Sequence, residues 1–147
     1  MDPNPPPPID WRRVVFKESG AGRLLALLNT LPRARWAERG LRDNETFLHY
    51  AARGDNVDAA VALLQSGLVD VNARNTGNYN AAHVAALNNQ PRVLEVLRAA
   101  GVDSRAQTQK GSSALDLAMF WGQDDCARVL VANGVRLSTV RDKYRRY

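Results

Sequence analysis

The sequence predicts an all-α solenoid, a stack of similar helix–turn–helix units, and three observations predict it. First, residues 44–74, 78–105 and 111–136 are copies of one pattern, with the leading position at Thr46, Asn80 and Ser113, spaced 34 and 33 residues apart. Second, the closing glycines Gly67, Gly101 and Gly134 repeat with the same spacings, and the one-residue difference falls in Leu68-Val69-Asp70 against Val102-Asp103. A self-similar period near 33 residues is the signature of a stacked array, in which no single unit can bury its apolar face alone. Third, no apolar stretch approaches the roughly 18–20 residues that a membrane span needs, so the apolar residues are expected to form a core between units.

The residues of these copies resemble the ankyrin repeat, whose pattern runs G-x-T-P-L-H-x-A-A, then an outer helix ending L-L-x-x-G, then A-D-V-N-A. The first copy carries Thr46-Phe47-Leu48-His49-Tyr50-Ala51-Ala52, Leu63-Leu64, Gly67 and Val69-Asp70-Val71-Asn72-Ala73. The second keeps His83, Ala85, Ala86, Leu97, Gly101 and Val102-Asp103, and the third keeps Gly111, Leu115, Leu117, Ala118, Gly122, Leu130 and Gly134. The resemblance covers residues 40–136, about two-thirds of the chain. Phe47, Ala81 and Ala114 stand where the family has proline, and Asp116 where it has histidine. Less regular helix starts are expected from these departures. The resemblance implies units of an inner helix, a tight turn and an outer helix, joined by short hairpin-like loops.

Taken in order, residues 1–9 form a proline-rich arm, Pro5 to Pro8 favouring an extended polyproline II conformation. It reads as a stiff tail or an arm laid on a neighbour more readily than as a ligand for a polyproline-reading domain. Residues 10–42 read as a degenerate N-terminal capping repeat, since the apolar face of the first full unit has to be covered. Asp10 can cap a helix from Trp11, with Val14 and Val15 on its apolar face, Ser19-Gly20-Ala21-Gly22 breaks it, and a second helix runs from Arg23 to Thr30. Pro32 to Arg39 is either a short helical turn or an irregular connection, basic and anchored by Trp36.

The three repeats occupy residues 43–136. Inner helices are expected over 46–53, 80–88 and 113–121, and outer helices over 57–65, 91–99 and 124–132. Pro91 suits the first turn of its helix, where a missing N–H is not needed. The three closing glycines suit the left-handed residue that ends a helix. Residues 137–147 are a basic tail in which Arg141, Lys143, Arg145 and Arg146 are interleaved with Tyr144 and Tyr147.

The net charge of +5 is segregated along the chain. Residues 1–42 carry eight basic and four acidic side chains, residues 43–134 seven and ten, and residues 135–147 five and one. The array is thus mildly acidic between two basic ends. The N-terminus has neither the basic nor the apolar region of a secretory signal, and it lacks the Arg/Ser-rich start of a transit peptide. The one cysteine, Cys126, sits on the apolar face of the third outer helix and reads as a core residue. A reducing intracellular compartment, the cytoplasm foremost, is the expectation.

No catalytic constellation is visible. His49 and His83 occupy equivalent positions, where the resemblance implies hydrogen bonds between neighbouring turns. With Cys126 they do not make the four-ligand set of a zinc site. Asp124-Asp125 reads as a favourable helix start rather than an acid–base pair, and the glycines form no phosphate-cradling motif. No enzyme activity, cofactor, metal or small-molecule substrate is expected.

Binding is the expectation instead. In the family the hairpin tips and one face of the inner helices line a concave groove. Carried over by position, the candidate groove is Arg42, Glu45, Arg53, Arg74, Tyr79, Leu87, Asn88, Lys110, Phe120 and Trp121. The aromatic pair Phe120-Trp121 stands out, because aromatic and Arg side chains dominate interface energetics; the plainer reading is that one ring packs on the tail. The tail residues Arg141, Lys143, Tyr144, Arg145, Arg146 and Tyr147 are a second candidate contact. Val129-Leu130-Val131 marks the open end of the stack, to be covered by Leu137, Val140 and Tyr144 or by a partner. The expected function is a non-catalytic protein–protein interaction module, a small scaffold or accessory subunit in a multi-subunit assembly. Two alternatives are a nucleic-acid-associated protein gripping phosphates through its basic ends, and an adaptor bringing a client to an enzyme such as a ubiquitin ligase.

Overall fold

The computed structural model describes residues 23–39 and 43–134. The proline arm, the helix expected from Trp11, Arg42 and the basic tail lie outside the described residues. Helix α1 spans Arg23–Thr30 and is followed by a single 3-10 turn at Arg33–Arg35. Three helix pairs follow: α2 (Phe47–Arg53) with α3 (Val57–Ser66), α4 (Ala81–Leu87) with α5 (Pro91–Ala99), and α6 (Ala114–Phe120) with α7 (Asp124–Ala132). Among the described residues there is no strand, only one isolated bridge between Arg39 and Thr46. The segment from Pro32 to Arg39 is therefore part turn and part irregular connection, as either expectation allowed.

The inner helices start alike. Thr46, Asn80 and Ser113 are extended, and each side chain accepts the backbone N–H of the third helical residue, while that residue's side chain takes the N–H of the cap. Such a reciprocal box satisfies two donors that a helix start otherwise leaves unpaired. Asp116 fills the histidine's place, its Oδ2 accepting the Ser113 N–H at 2.9 Å. The expected irregularity at the helix starts is thus corrected: a carboxylate oxygen and an imidazole Nδ1 are equivalent acceptors at this position, and Phe47, Ala81 and Ala114 begin their helices without proline. The outer helices end on Gly67, at φ 71°, and before Gly101, at φ 88°, a backbone region glycine enters without penalty.

Packing follows from side-chain size. Ala51, Ala52, Ala85, Ala86 and Ala118 are all 0 % exposed, so inner helices approach closely and stack in the order α2, α4, α6. The outer layer is α3, α5, α7, with α1 packed on α3 at its front. Leu63, Leu94, Leu97 and Leu130 fill the space between layers. Burying each such side chain contributes about 1.5–3 kcal/mol. Trp36 plugs the front of the core and donates its indole N–H to the Leu28 carbonyl at 3.0 Å.

Bonds between units repeat as the units do. Arg39 donates to the Arg74 carbonyl at 3.0 Å and Arg74 to the Gln107 carbonyl at 2.9 Å, a ladder across successive hairpins. The Thr76 N–H reaches the Asp43 carbonyl, and the Gln109 N–H the Gly77 carbonyl. Gln90 and Gln123, each in the turn between helices, donate to the carbonyls of Arg53 and Leu87 in the unit before.

Candidate protein interface

The inner helices end at register-equivalent positions, and their last residues differ in character from unit to unit. In the first unit Arg53 forms a two-pronged ion pair with Glu45, at 2.8 and 2.9 Å, and its guanidinium lies 5.8 Å from the Tyr50 ring centroid. Glu45, expected to line the groove, is 3 % exposed. A buried carboxylate needs such a partner. Burial, then the Glu45 charge, pushes the Tyr50 hydroxyl pKa up. At the first unit the candidate residues thus pair with each other.

The second unit is intermediate. Leu87 and Asn88 are half-buried; the Leu87 carbonyl accepts from Gln123, and the Asn88 amide donates to Val84 at 2.8 Å. In the third unit the positions of Arg53 and Leu87 pass to Phe120, and those of Gly54 and Asn88 to Trp121. Both rings are exposed, 51 % and 58 %, and meet edge to face with centroids 5.1 Å apart. Met119 beside them is 55 % exposed, although its equivalents Ala52 and Ala86 are fully buried under the next unit. The inner-helix ends therefore grade from an ion pair in the first unit to an exposed Met-Phe-Trp run in the third.

The remaining candidates are distributed along the hairpins. Arg74 is tied down by its bond to Gln107, and Tyr79 is half-buried against the core, edge-on to the His83 ring at 5.7 Å. Lys110 is exposed at the third hairpin. Arg42 and the six tail residues lie outside the described residues. Sequence reasoning missed Arg39, the first rung of the hairpin ladder, and the exposure of Met119. The register series Ala52, Ala86, Met119 carried the second signal.

The titratable groups act structurally. His49 Nδ1 accepts the Thr46 N–H at 3.1 Å, which leaves the Nε2 proton to be donated to the Tyr79 carbonyl at 2.9 Å. His83 does the same with the Asn80 N–H and the Ala106 carbonyl. These are the bonds between turns that the resemblance implied. Burial lowers both imidazole pKa values, that of His83 to about 4. Burial also pushes the Cys126 thiol up to about 11, far from the thiolate needed for nucleophilic work. Among the described residues no group of three or more His, Cys, Asp or Glu side chains is arranged to hold a metal ion. No helix among them is long and apolar enough to cross a membrane.

Comparison with known proteins agrees with this architecture. Residues 19–108 and 70–141 match the model of ankyrin repeats (3 copies). The chain is 33 % identical over 75 residues to the BTB/POZ domain and ankyrin repeat-containing protein NPR1 of Malus hupehensis. It is 37 % identical over 76 residues to the regulatory protein NPR1 of Arabidopsis thaliana. The matches cover 51 % and 52 % of this chain and 13 % of each relative. The paired helices, reciprocal caps, inter-turn histidines and matched residues leave one assignment: the chain belongs to the ankyrin-repeat family, a non-enzymatic fold whose usual role is protein–protein interaction.

Proposed function

We propose that this protein is a small scaffold or accessory subunit, held in a larger assembly through its concave groove and its two basic ends. The observation that carries the reading is the Met119-Phe120-Trp121 surface. Three large apolar side chains stand more than half exposed at adjacent positions, where the other two units place buried alanines, an ion-paired arginine and a half-buried Leu87 and Asn88. Exposed contiguous apolar surface rimmed by polar residues marks an interaction site. The reduced, buried Cys126 fits a reducing intracellular compartment. No step of the reading calls for a cofactor or a substrate.

The test is affinity purification of the tagged chain from its native cells, followed by mass spectrometry. A stable stoichiometric complex is expected, and the Phe120→Ala/Trp121→Ala variant, folded by circular dichroism, should lose it at least tenfold. If the folded variant keeps its partner undiminished, the groove is not the interface. Transient, substoichiometric partners would favour the adaptor reading, which draws support from a relative whose name places ankyrin repeats in one chain with a BTB/POZ domain. The charge segregation supports a second reading, nucleic-acid contact through the basic ends; binding that collapses between low and moderate salt would favour it.

A further inference from the structure

The end of the stack carries a further step. Positions 52, 86 and 119 are register-equivalent, and in the first two an alanine is sealed at 0 % exposure by the inner helix of the following unit. At the third, no further inner helix follows α6 among the described residues, and the residue is a methionine, 55 % exposed, continuous with Phe120 and Trp121. Val131 adds a fourth apolar group on α7, at 58 %. We propose that the chain's own C-terminal segment, residues 135–147, docks on this surface and covers Met119, Phe120 and Trp121.

Three observations choose this occupant. The first is reach: the segment leaves from Gly134, at φ 79° on the end of α7, and thirteen residues continue from there. The second is charge. On the surface of the third unit Asp124 and Asp125 are exposed, close in sequence to Trp121, and among the described residues meet only Arg128, which lies 3.7 Å from Asp125, whereas the segment carries five basic residues and one acidic. The third is side-chain type. Leu137, Val140, Tyr144 and Tyr147 supply apolar area, and arginines are interleaved with them. Exposed aromatic faces attract guanidinium groups, a pairing this chain already makes at Arg33 over Trp36 and Arg53 over Tyr50. Docking there makes the segment a built-in competitor for the third-unit end of the groove, so an external partner has to displace it. That regulatory consequence rests on the groove reading; the docking itself does not.

The experiment uses the full chain with its methionine methyls isotopically labelled, and only Met1 and Met119 report. A soluble paramagnetic probe relaxes whichever methyl solvent reaches. The expected result is a Met119 methyl several-fold less relaxed than the Met1 methyl, equally at low and high protein concentration. Protection should be lost in the Arg141→Glu/Lys143→Glu/Arg145→Glu/Arg146→Glu variant, whose changes all lie beyond the last repeat. A Met119 methyl relaxed as strongly in the parent as in the variant overturns the proposal. So does protection that grows with concentration, which would assign the surface to a second copy. No partner is present in this measurement, so its failure leaves the groove reading standing, and failure of the affinity test leaves the docking standing.

Discussion

His83 has both ring nitrogens engaged inside the stack, and this fixes how the protein responds to acid. The unfolded chain protonates histidine near 6.5, whereas the folded ring resists to about 4 because burial penalises its charged form. Between those values the unfolded state binds more protons. The stability is therefore present in full above pH 6.5 and is lost as pH falls toward 4. The difference of about 2.5 units corresponds to a loss on the order of 3 kcal/mol, and His49 shifts in the same direction. Urea unfolding at pH 7 and pH 5 checks it: the parent should lose stability on acidification, and His83→Gln should show a markedly flatter dependence over that window. At the same scale stands Asn56, 2 % exposed, with neither amide atom hydrogen-bonded. It occupies the register of Gln90 and Gln123 but is one methylene shorter, and it does not make their bond to the unit before. A buried unsatisfied polar group costs about 1–3 kcal/mol, so Asn56→Leu should leave stability unchanged or raise it by about 1 kcal/mol. A fall of that size in the urea-derived stability would show that the amide is engaged after all.

At the scale of the element, the helix starts invite a substitution the sequence itself suggests. Ser113 is extended, at φ −81° and ψ 170°, which is the conformation a following proline requires. Ala114 is the first residue of α6, where a missing N–H is harmless. Ala114→Pro should therefore stabilise the protein by about 0.4–1 kcal/mol, mostly by restricting the unfolded chain, read as a rise in the thermal midpoint of about 1–4 °C. The helices themselves were legible: Arg23–Thr30, Pro91–Ala99 and Asp124–Ala132 fall where glycine, proline and the period place them. What was hidden lay in contacts between elements. Nothing local in Glu45 shows that its carboxylate turns inward to Arg53, eight residues on. Arg74, expected to line the groove, bonds a carbonyl 33 residues away. Asp116 looked like a defect because residue type was compared, whereas the cap needs only an acceptor at that place.

At the scale of the whole molecule, the described core is one thin strip running through every unit, so units share their stability. Leu97, 0 % exposed between the second outer helix and its neighbours, belongs to all of them. Leu97→Ala should cost about 2–5 kcal/mol. It should lower a single unfolding transition rather than split it, and circular dichroism and tryptophan fluorescence recorded together would reveal any split. Phe120→Ala/Trp121→Ala should leave the array folded, because neither ring belongs to the buried core the units share.

The hairpin ladder has a consequence for growth. Arg39 to Arg74, Arg74 to Gln107, His49 to Tyr79 and His83 to Ala106 all hand a side-chain proton forward, while Gln90 and Gln123 hand one back. The joint is a coupling with distinct male and female sides, and it has been used twice. Splicing a second copy of residues 80–112 in frame after residue 112 would keep each His83 with the Ala106 carbonyl of its own copy and would present the copied Gln90 with the Leu87 carbonyl that Gln123 uses now. The lengthened chain should fold and melt at a higher temperature than its parent.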